Sequence, residues 1–317
     1  MTLVAGGLVA VHAHPDDESL ATGALLASWA ASGGPVTLVT CTRGERGEVI
    51  GAGLAHLEGD GPALAAHREA ELEAALAALG VPDHVFLDEV GPPAGARYED
   101  SGMAWLAAGR AGSADDVPAG AFVAVPLDEA AARLAHVLRS RRPDVVVTYE
   151  PAGGYGHPDH VRAHQVTMRA LELAVLPDAG LPAAPAPVVL WAAQRAGALR
   201  AARHALDGSG VRIALGAARD GLTLPAPGDG LPSVAVPDEA VDLLVDVLPV
   251  RDRVLAALRA HATQVHAVRP IDGVGDLVGC YALSNDVLAP VLPTEDYRVV
   301  AGSGAAVVWP TGVRPVA

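Results

Sequence analysis

The chain has 317 residues, 51% of them apolar but only 3% aromatic, and a formal charge of −15 at pH 7. This suits one large α/β domain with extensions, or two closely packed domains, with an Ala, Val and Leu interior; an all-β sandwich does not fit. All 22 basic residues are Arg, and the acidic balance argues against nucleic acid or an anionic membrane as partner.

In chain order, residues 3–12 read as a first strand that feeds a loop at His14–Pro15, and apolar residues recur at helical spacing from Leu20 to Trp29. Pro15 fits the first turn of that helix. Val36–Cys41 is a second buried strand, followed by a Gly-rich loop through residue 61. A helix from about Ala63 to Leu79 ends at Gly80, a stop signal. His84–Leu87 gives a third strand, and residues 88–126 form an irregular Gly- and Pro-rich insertion. Asp128 caps a helix running to Arg142, Asp144–Thr148 is the fourth strand, and Pro158 opens a helix to about Leu176.

This alternation over residues 1–176 predicts a doubly wound, mainly parallel, Rossmann-like sheet. With strand order 3-2-1-4, the strands ending at His12 and Thr148 are neighbours at the switch point, where such sheets hold ligands beyond their carboxyl ends. Residues 177–317 read as a smaller C-terminal α+β region packed on the first and completing the fold. Its pattern is weaker: strands near Val188–Trp191, Ala240–Val247 and Tyr297–Val300, and a helix from about Arg251 to Thr263.

Cys41 and Cys280 form no disulfide framework, and Cys41 reads as a small buried hydrophobe. The N-terminus lacks a basic region and reads as a strand rather than a signal peptide, and no apolar run approaches a membrane span. A soluble, cytoplasmic protein is the expectation.

Two loops carry the chemistry: His14-Pro15-Asp16-Asp17-Glu18 after the first strand, and Gly153-Gly154-Tyr155-Gly156-His157-Pro158-Asp159-His160 after the fourth. A catalytic zinc takes three N and O ligands and keeps one position open, and His14, Asp17 and His160 can supply them from the two loops. The plainer reading is that the carboxylates of the first loop answer a helix dipole. It leaves unexplained why two His-Pro loops stand at adjoining strand ends.

These motifs resemble the LmbE/PIG-L-type metal-dependent deacetylases over nearly the whole chain. Within that family the likeness is strongest to the branch acting on N-acetylglucosaminyl-inositol in mycothiol biosynthesis. Further stretches carry it: Thr40-Cys41-Thr42, Gly44-Glu45, Gly47–Gly51, Asp100–Met103, His261–Val265 and Ala282–Asn285. The resemblance implies one Zn²⁺, or Fe²⁺, on His14, Asp17 and His160, with Asp16 as the carboxylate acting on the attacking water. It further implies His157 and Tyr155 at the tetrahedral oxyanion, and Arg68 and Asp100 on substrate hydroxyls.

Asp159 reads as the acceptor that orients a ligand imidazole. Each of these has a plainer alternative: a turn-capping His157, a solvent-facing Tyr155, a helix-start Asp159, or an Arg68 paired with Glu71. His12 reads as a packed histidine beside the ligands, and no role falls to His56, His67, His84, His136, His164, His204, His261 or His266. The implied partner is a small amino sugar, and the oligomeric state is left open. Two rivals stand beside deacetylation: the mycothiol S-conjugate amidases of the same family, and a metal-dependent sugar binder without turnover. Gly156 and the Asp100–Met103 stretch favour the deacetylase.

Overall fold

A computed structural model describes residues 6–91, 97–107, 110–114, 116–178, 180–226 and 229–316. Residues 3–5 of the expected first strand and parts of the 88–126 insertion lie outside them. In chain order the elements are β1 Leu8–His12, α1 Asp17–Ala21, α2 Gly23–Ala31, β2 Val36–Thr40, α3 Gly61–Leu79 and β3 Asp83–Phe86. A hairpin follows, β4 Met103–Ala107 and β5 Arg110–Ser113, then α4 Leu127–Arg141, β6 Val145–Thr148, a short turn of helix α5 at Gly153–Gly156 and α6 Pro158–Ala174. The remainder is β7 Val188–Arg195, α7 Ala196–Ala205, α8 Ser209–Leu215, β8 Ala235–Val236, β9 Leu243–Asp246, α9 Arg251–Ala260, β10 His266–Pro270, β11 Gly279–Ala282, β12 Leu288–Val291, β13 Thr294–Ala301 and β14 Val313–Pro315.

The main sheet has the order β14-β9-β13-β7-β6-β1-β2-β3. From β3 to β7 its strands run parallel, as expected for the doubly wound core. β1, β2 and β6 are buried at every position, because helices cover both faces and each Val or Leu meets apolar side chains whichever way it points. One core cluster joins the sheet to α2, α3 and α9 around Trp29, Leu72 and Leu255; the other joins it to α4 and α6 around Leu134 and Val166.

Residues beyond 176 extend the same sheet through β7, β13, β9 and β14, the last three antiparallel to their neighbours. They also build a small sheet, β10-β11-β12.

Several expected boundaries move. The single helix expected over 20–29 is two, broken at Thr22, whose φ of −141° is not helical. Pro15 precedes α1, whose N-cap is Asp16, and Asp128 stands inside the first turn of α4, where it pairs with Arg169. The insertion is not wholly irregular, since it carries the β4–β5 hairpin. α9 stops at Ala260, leaving His261 as its C-cap. β1 lies between β2 and β6, so the loops leaving β1 and β6 emerge side by side at the carboxyl edge of the sheet.

Candidate metal centre

The first loop leaves β1 at Ala13, whose N–H donates to the Tyr149 hydroxyl at 2.8 Å. Tyr149 directly follows β6, so this bond ties the two strand ends together. Its ring stacks on His160 at 4.2 Å between centroids, fixing one face of that imidazole. On the second loop, Gly153, Gly154 and Gly156 all have φ between 70° and 97°, a region that only glycine enters cheaply. The chain there turns sharply enough to bring His157 and His160 under the first loop.

Asp17 stands between two imidazoles. Its Oδ2 lies 3.2 Å from His14 Nδ1 and its Oδ1 3.2 Å from His160 Nε2. His14, His157 and His160 each bring a ring nitrogen within 4.8 Å of the others. All four residues are buried.

Neighbouring groups settle the ring protons. The Gly153 carbonyl can only accept, so His160 Nδ1 donates to it at 3.1 Å, leaving a lone pair on Nε2. That Nε2 is buried and has no hydrogen-bond partner, although Asp17 stands in ion-pair reach. His14 Nε2 donates to Asp159 Oδ2 at 3.2 Å and its Nδ1 faces Asp17; burial opposes charge on this ring, but Asp100, Asp159 and Asp17 raise it well above an ordinary histidine, so without an ion it carries both protons. The Asp159 N–H donates to His157 Nδ1 at 3.1 Å, so the proton of neutral His157 sits on Nε2.

The donor set fits a divalent ion. The three ring nitrogens converge within 4.8 Å, and the Asp17 carboxylate reaches His14 with one oxygen and His160 with the other, each at 3.2 Å, near the roughly 3.4 Å between neighbouring ligand atoms of a tetrahedral zinc. Two ring nitrogens and a carboxylate facing one another at 3.2 Å form a cluster in which a divalent ion would take the place of the bound proton. Charges agree. Burial opposes ionisation of Asp17, yet His160 and His14 hold its carboxyl well below the usual range. Burial and the neighbouring His14 and His160 push His157 well below an ordinary histidine, so it stays neutral.

Asp16 projects from the same loop and is 14% exposed. Its backbone is unusual for a non-glycine residue, at φ 123° and ψ −34°. Burial lifts its carboxyl to about 6, with the Arg68 guanidinium pulling the other way. Arg68 is buried and donates to the carbonyls of Pro15 and Gly44 and to Asp16 Oδ2, the last at 3.2 Å. It borders the cavity, but its fork grips the protein's own loops.

Asp100 is buried on the far side of His14, with Oδ1 3.7 Å from His14 Nε2 and 2.8 Å from the Gly102 N–H. Asp159 also accepts from Ser101, at 2.9 Å from N–H and 2.5 Å from the hydroxyl, tying the insertion to the second loop. Tyr155 lies with its ring centroid 5.1 Å from that of His160 and 6.2 Å from that of His157. His12 bonds Thr22 at 2.9 Å from behind the loop and stays neutral, burial lowering it to about 4. Cys41 is buried and free, and burial raises its thiol well above the usual range.

Sequence reasoning passed over Tyr149 and Glu18. Both are buried, Tyr149 stacked on His160 and Glu18 accepting the Asp16 N–H, and Tyr149 had a signal, an aromatic at the exit of the strand that bears the second loop.

A cavity of about 530 Å³ opens over these groups. His14, Asp16, Asp100, Tyr155 and His157 form one wall; Gln194, Leu199, Tyr281 and Asn285, from beyond residue 176, face them. Among the described residues no helix is long and apolar enough to cross a membrane.

A family model described as GlcNAc-PI de-N-acetylase matches residues 9–171, the stretch that contains both loops. The chain is 48% identical over 296 residues to a 1D-myo-inositol 2-acetamido-2-deoxy-alpha-D-glucopyranoside deacetylase of Kineococcus radiotolerans, covering 92% of this chain and 76% of that one. It is 44% identical to the protein of the same name from Streptomyces avermitilis, covering 93% and 92%. Among solved structures, N,N'-diacetylchitobiose deacetylase from Pyrococcus horikoshii aligns with a TM-score of 0.44 at 22% identity, over 59% of this chain and 60% of that one. With both loops inside the matched span, this chain belongs to the PIG-L family of GlcNAc-PI de-N-acetylases.

Proposed function

We propose that the chain hydrolyses the acetamide of 1D-myo-inositol 2-acetamido-2-deoxy-alpha-D-glucopyranoside, releasing acetate and the free amine, with one zinc ion on His14, Asp17 and His160. The observation that carries this reading is Asp17, with one carboxylate oxygen 3.2 Å from His14 Nδ1 and the other 3.2 Å from His160 Nε2. Relatives 44–48% identical over more than nine-tenths of the chain bear that activity in their names. Fe²⁺ accepts the same donor set. The cytoplasm is the proposed compartment. Residues 1–176 are proposed to supply the metal-binding catalytic region, and 177–317 to complete the fold and the cavity.

An ion held there supplies Lewis acidity to the acetamide carbonyl and to water. Asp16, beside the ligands but directed at Arg68, takes the proton of the attacking water and delivers it to the departing nitrogen. His157 carries its proton on Nε2 and, being neutral, donates a hydrogen bond to the oxyanion as the carbonyl carbon becomes tetrahedral. Tyr155, beside both histidines, donates from the cavity side. Asp159 fixes the His14 ring so that the correct nitrogen faces the ion. Arg68 holds the Asp16 loop by the Pro15 carbonyl and, with Asp100, borders the space that the sugar hydroxyls occupy.

The test is amine release by zinc-loaded protein from N-acetylglucosaminyl-inositol and from a mycothiol S-conjugate. Preference for the conjugate selects the amidase reading; turnover of neither leaves a sugar binder. Asp16→Asn keeps an acceptor for Arg68 and removes the base. It is expected to retain one metal per chain and to lose roughly 10²–10⁴-fold in kcat. Near-normal turnover at saturating zinc contradicts the role given to Asp16.

A further inference from the structure

The stretch His261-Ala262-Thr263-Gln264 follows α9, more than 240 residues from the first loop, and the reaction above leaves His261 without a task. Its ring is fully buried, with Nε2 2.7 Å from Glu18 Oε1. Glu18 is fully buried too, and its Oε1 also accepts from the Ser19 hydroxyl at 2.5 Å. The other oxygen, Oε2, accepts the backbone N–H of Asp16 at 2.9 Å. That bond holds Asp16 at φ 123°, a conformation that an L-residue keeps only when its surroundings impose it.

The same stretch fastens the second clamp on the loop. Thr263 donates from its N–H and hydroxyl to Glu71 at 2.8 and 2.6 Å, one helical turn beyond Arg68 on α3. Arg68 in turn grips the Pro15 carbonyl and the Asp16 carboxylate. The 261–263 stretch thus bonds both Glu18 and the helix that carries Arg68.

We infer that His261 is a positioning residue for Asp16: by donating to Glu18 Oε1 it fixes the carboxylate whose other oxygen holds the Asp16 backbone in its catalytic orientation. This rests on Asp16 being the base. Among the described residues, the one side chain distant in sequence that hydrogen-bonds the Glu18 carboxylate is His261. Without that donor the Glu18 carboxylate is free to swing, and the Asp16 N–H loses its fixed acceptor. Asp17 has a separate anchor, accepting the His14 N–H at 2.9 Å, so the metal ligands stay in place. The expected signature is a fall in kcat with KM and metal content unchanged. A misplacement near 1 Å costs on the order of 10²-fold in rate.

The experiment compares His261→Leu, which removes the donor, with His261→Gln, whose amide presents a donor near the same point. Steady-state kinetics, metal content per folded chain and crystal structures of both variants are the readouts. The Leu variant is expected to lose about 10²-fold in kcat, to keep KM within about threefold, to hold one metal per chain and to show Asp16 turned away from φ 123°. The Gln variant recovers most of kcat.

A Leu variant with kcat within about threefold of the parent, a loss that only tracks lost metal or folded protein, or a Gln variant as slow as the Leu variant overturns the inference. If the Leu variant does not fold, His261→Asn, polar but too short to reach Glu18, replaces it with the same expected loss. Asp16→Asn is assayed alongside. If it turns over normally, the role of Asp16 itself fails; if it is inactive while His261→Leu remains fast, only the inference fails.

Discussion

Gly153→Ala tests whether the second loop sets metal affinity without touching a ligand. Gly153 has φ 70°, so any L-residue there costs about 1–2 kcal/mol of backbone strain. A Cβ at this position would also stand 2.8 Å from His160 Cβ and 2.8 Å from the Val161 backbone nitrogen, neither of which swings aside like a side-chain tip. Reaching an ordinary contact of 3.4 Å needs a retreat of about 0.6 Å, three times the roughly 0.2 Å tolerance of a metal–ligand bond. The same movement draws the Gly153 carbonyl from His160 Nδ1, which it now holds at 3.1 Å.

Losing such an orienting contact weakens metal binding by about 10- to 100-fold, or about 1.4–2.7 kcal/mol. Gly33→Ala is the control. At φ 79° with nothing within 4 Å of an added Cβ, it carries the strain without the collision, in a turn at the opposite edge of the sheet. Chelator-competition titration of both variants, with thermal unfolding of the metal-free proteins, separates the two effects. If Gly153→Ala binds zinc as tightly as Gly33→Ala, the collision is not transmitted to His160 and the reasoning fails.

Asp159→Ala removes the acceptor shared by His14 and Ser101. The expected result is a 10- to 100-fold weaker zinc affinity by the same titration, together with exposure of the 101–103 stretch to proteolysis; unchanged affinity refutes it. Glu295 accepts from the N–H groups of Ala24 and Leu25 at 2.6 and 2.9 Å and from the Tyr297 hydroxyl at 2.8 Å, yet burial raises its carboxyl to about 7. An acid with a raised folded pKa holds its proton more tightly when folded. Its contribution is therefore complete below about 4.5 and lost as pH climbs through 7. Relative to Glu295→Gln, the parent should lose about 3 kcal/mol of unfolding free energy across that window, read by urea denaturation at several pH values. Parallel pH dependences in the two proteins would count against it.

The parallel core was legible because its strands are continuous apolar runs bounded by turn residues, and the order 3-2-1-4 reappears as β3-β2-β1-β6. The two His-Pro loops were legible for the same local reason, and the structure brings His14, Asp17, His157 and His160 together. What escaped depends on distant partners. The break at Thr22 makes sense once Glu295 is seen on the first N–H groups of α2, some 270 residues away in sequence. Arg68 was read toward solvent and substrate, but the carbonyls that hold it belong to loops that no helical period connects to it. Glu18 looks like any first-turn carboxylate until His261 is placed against it. β9 and β13 were read as strands near 240–247 and 297–300, but their place in the main sheet, and β14 altogether, escaped because weak alternation does not say which edge a strand joins.

The reach of Glu295 back to Ala24 and Leu25 bears on how the chain emerges from a ribosome. Its partners lie 271 and 270 positions upstream, so at about 5–20 residues per second the start of α2 waits roughly 15 to 50 s for its acceptor to be translated. During that interval the nascent chain can pair β1 with β2 and β2 with β3 but leaves α2 uncapped and apolar faces bare, a species suited to holdase chaperones. Translation speed over the codons leading to Glu295, rather than over those of the first loop, then sets when the polypeptide leaves that vulnerable stage.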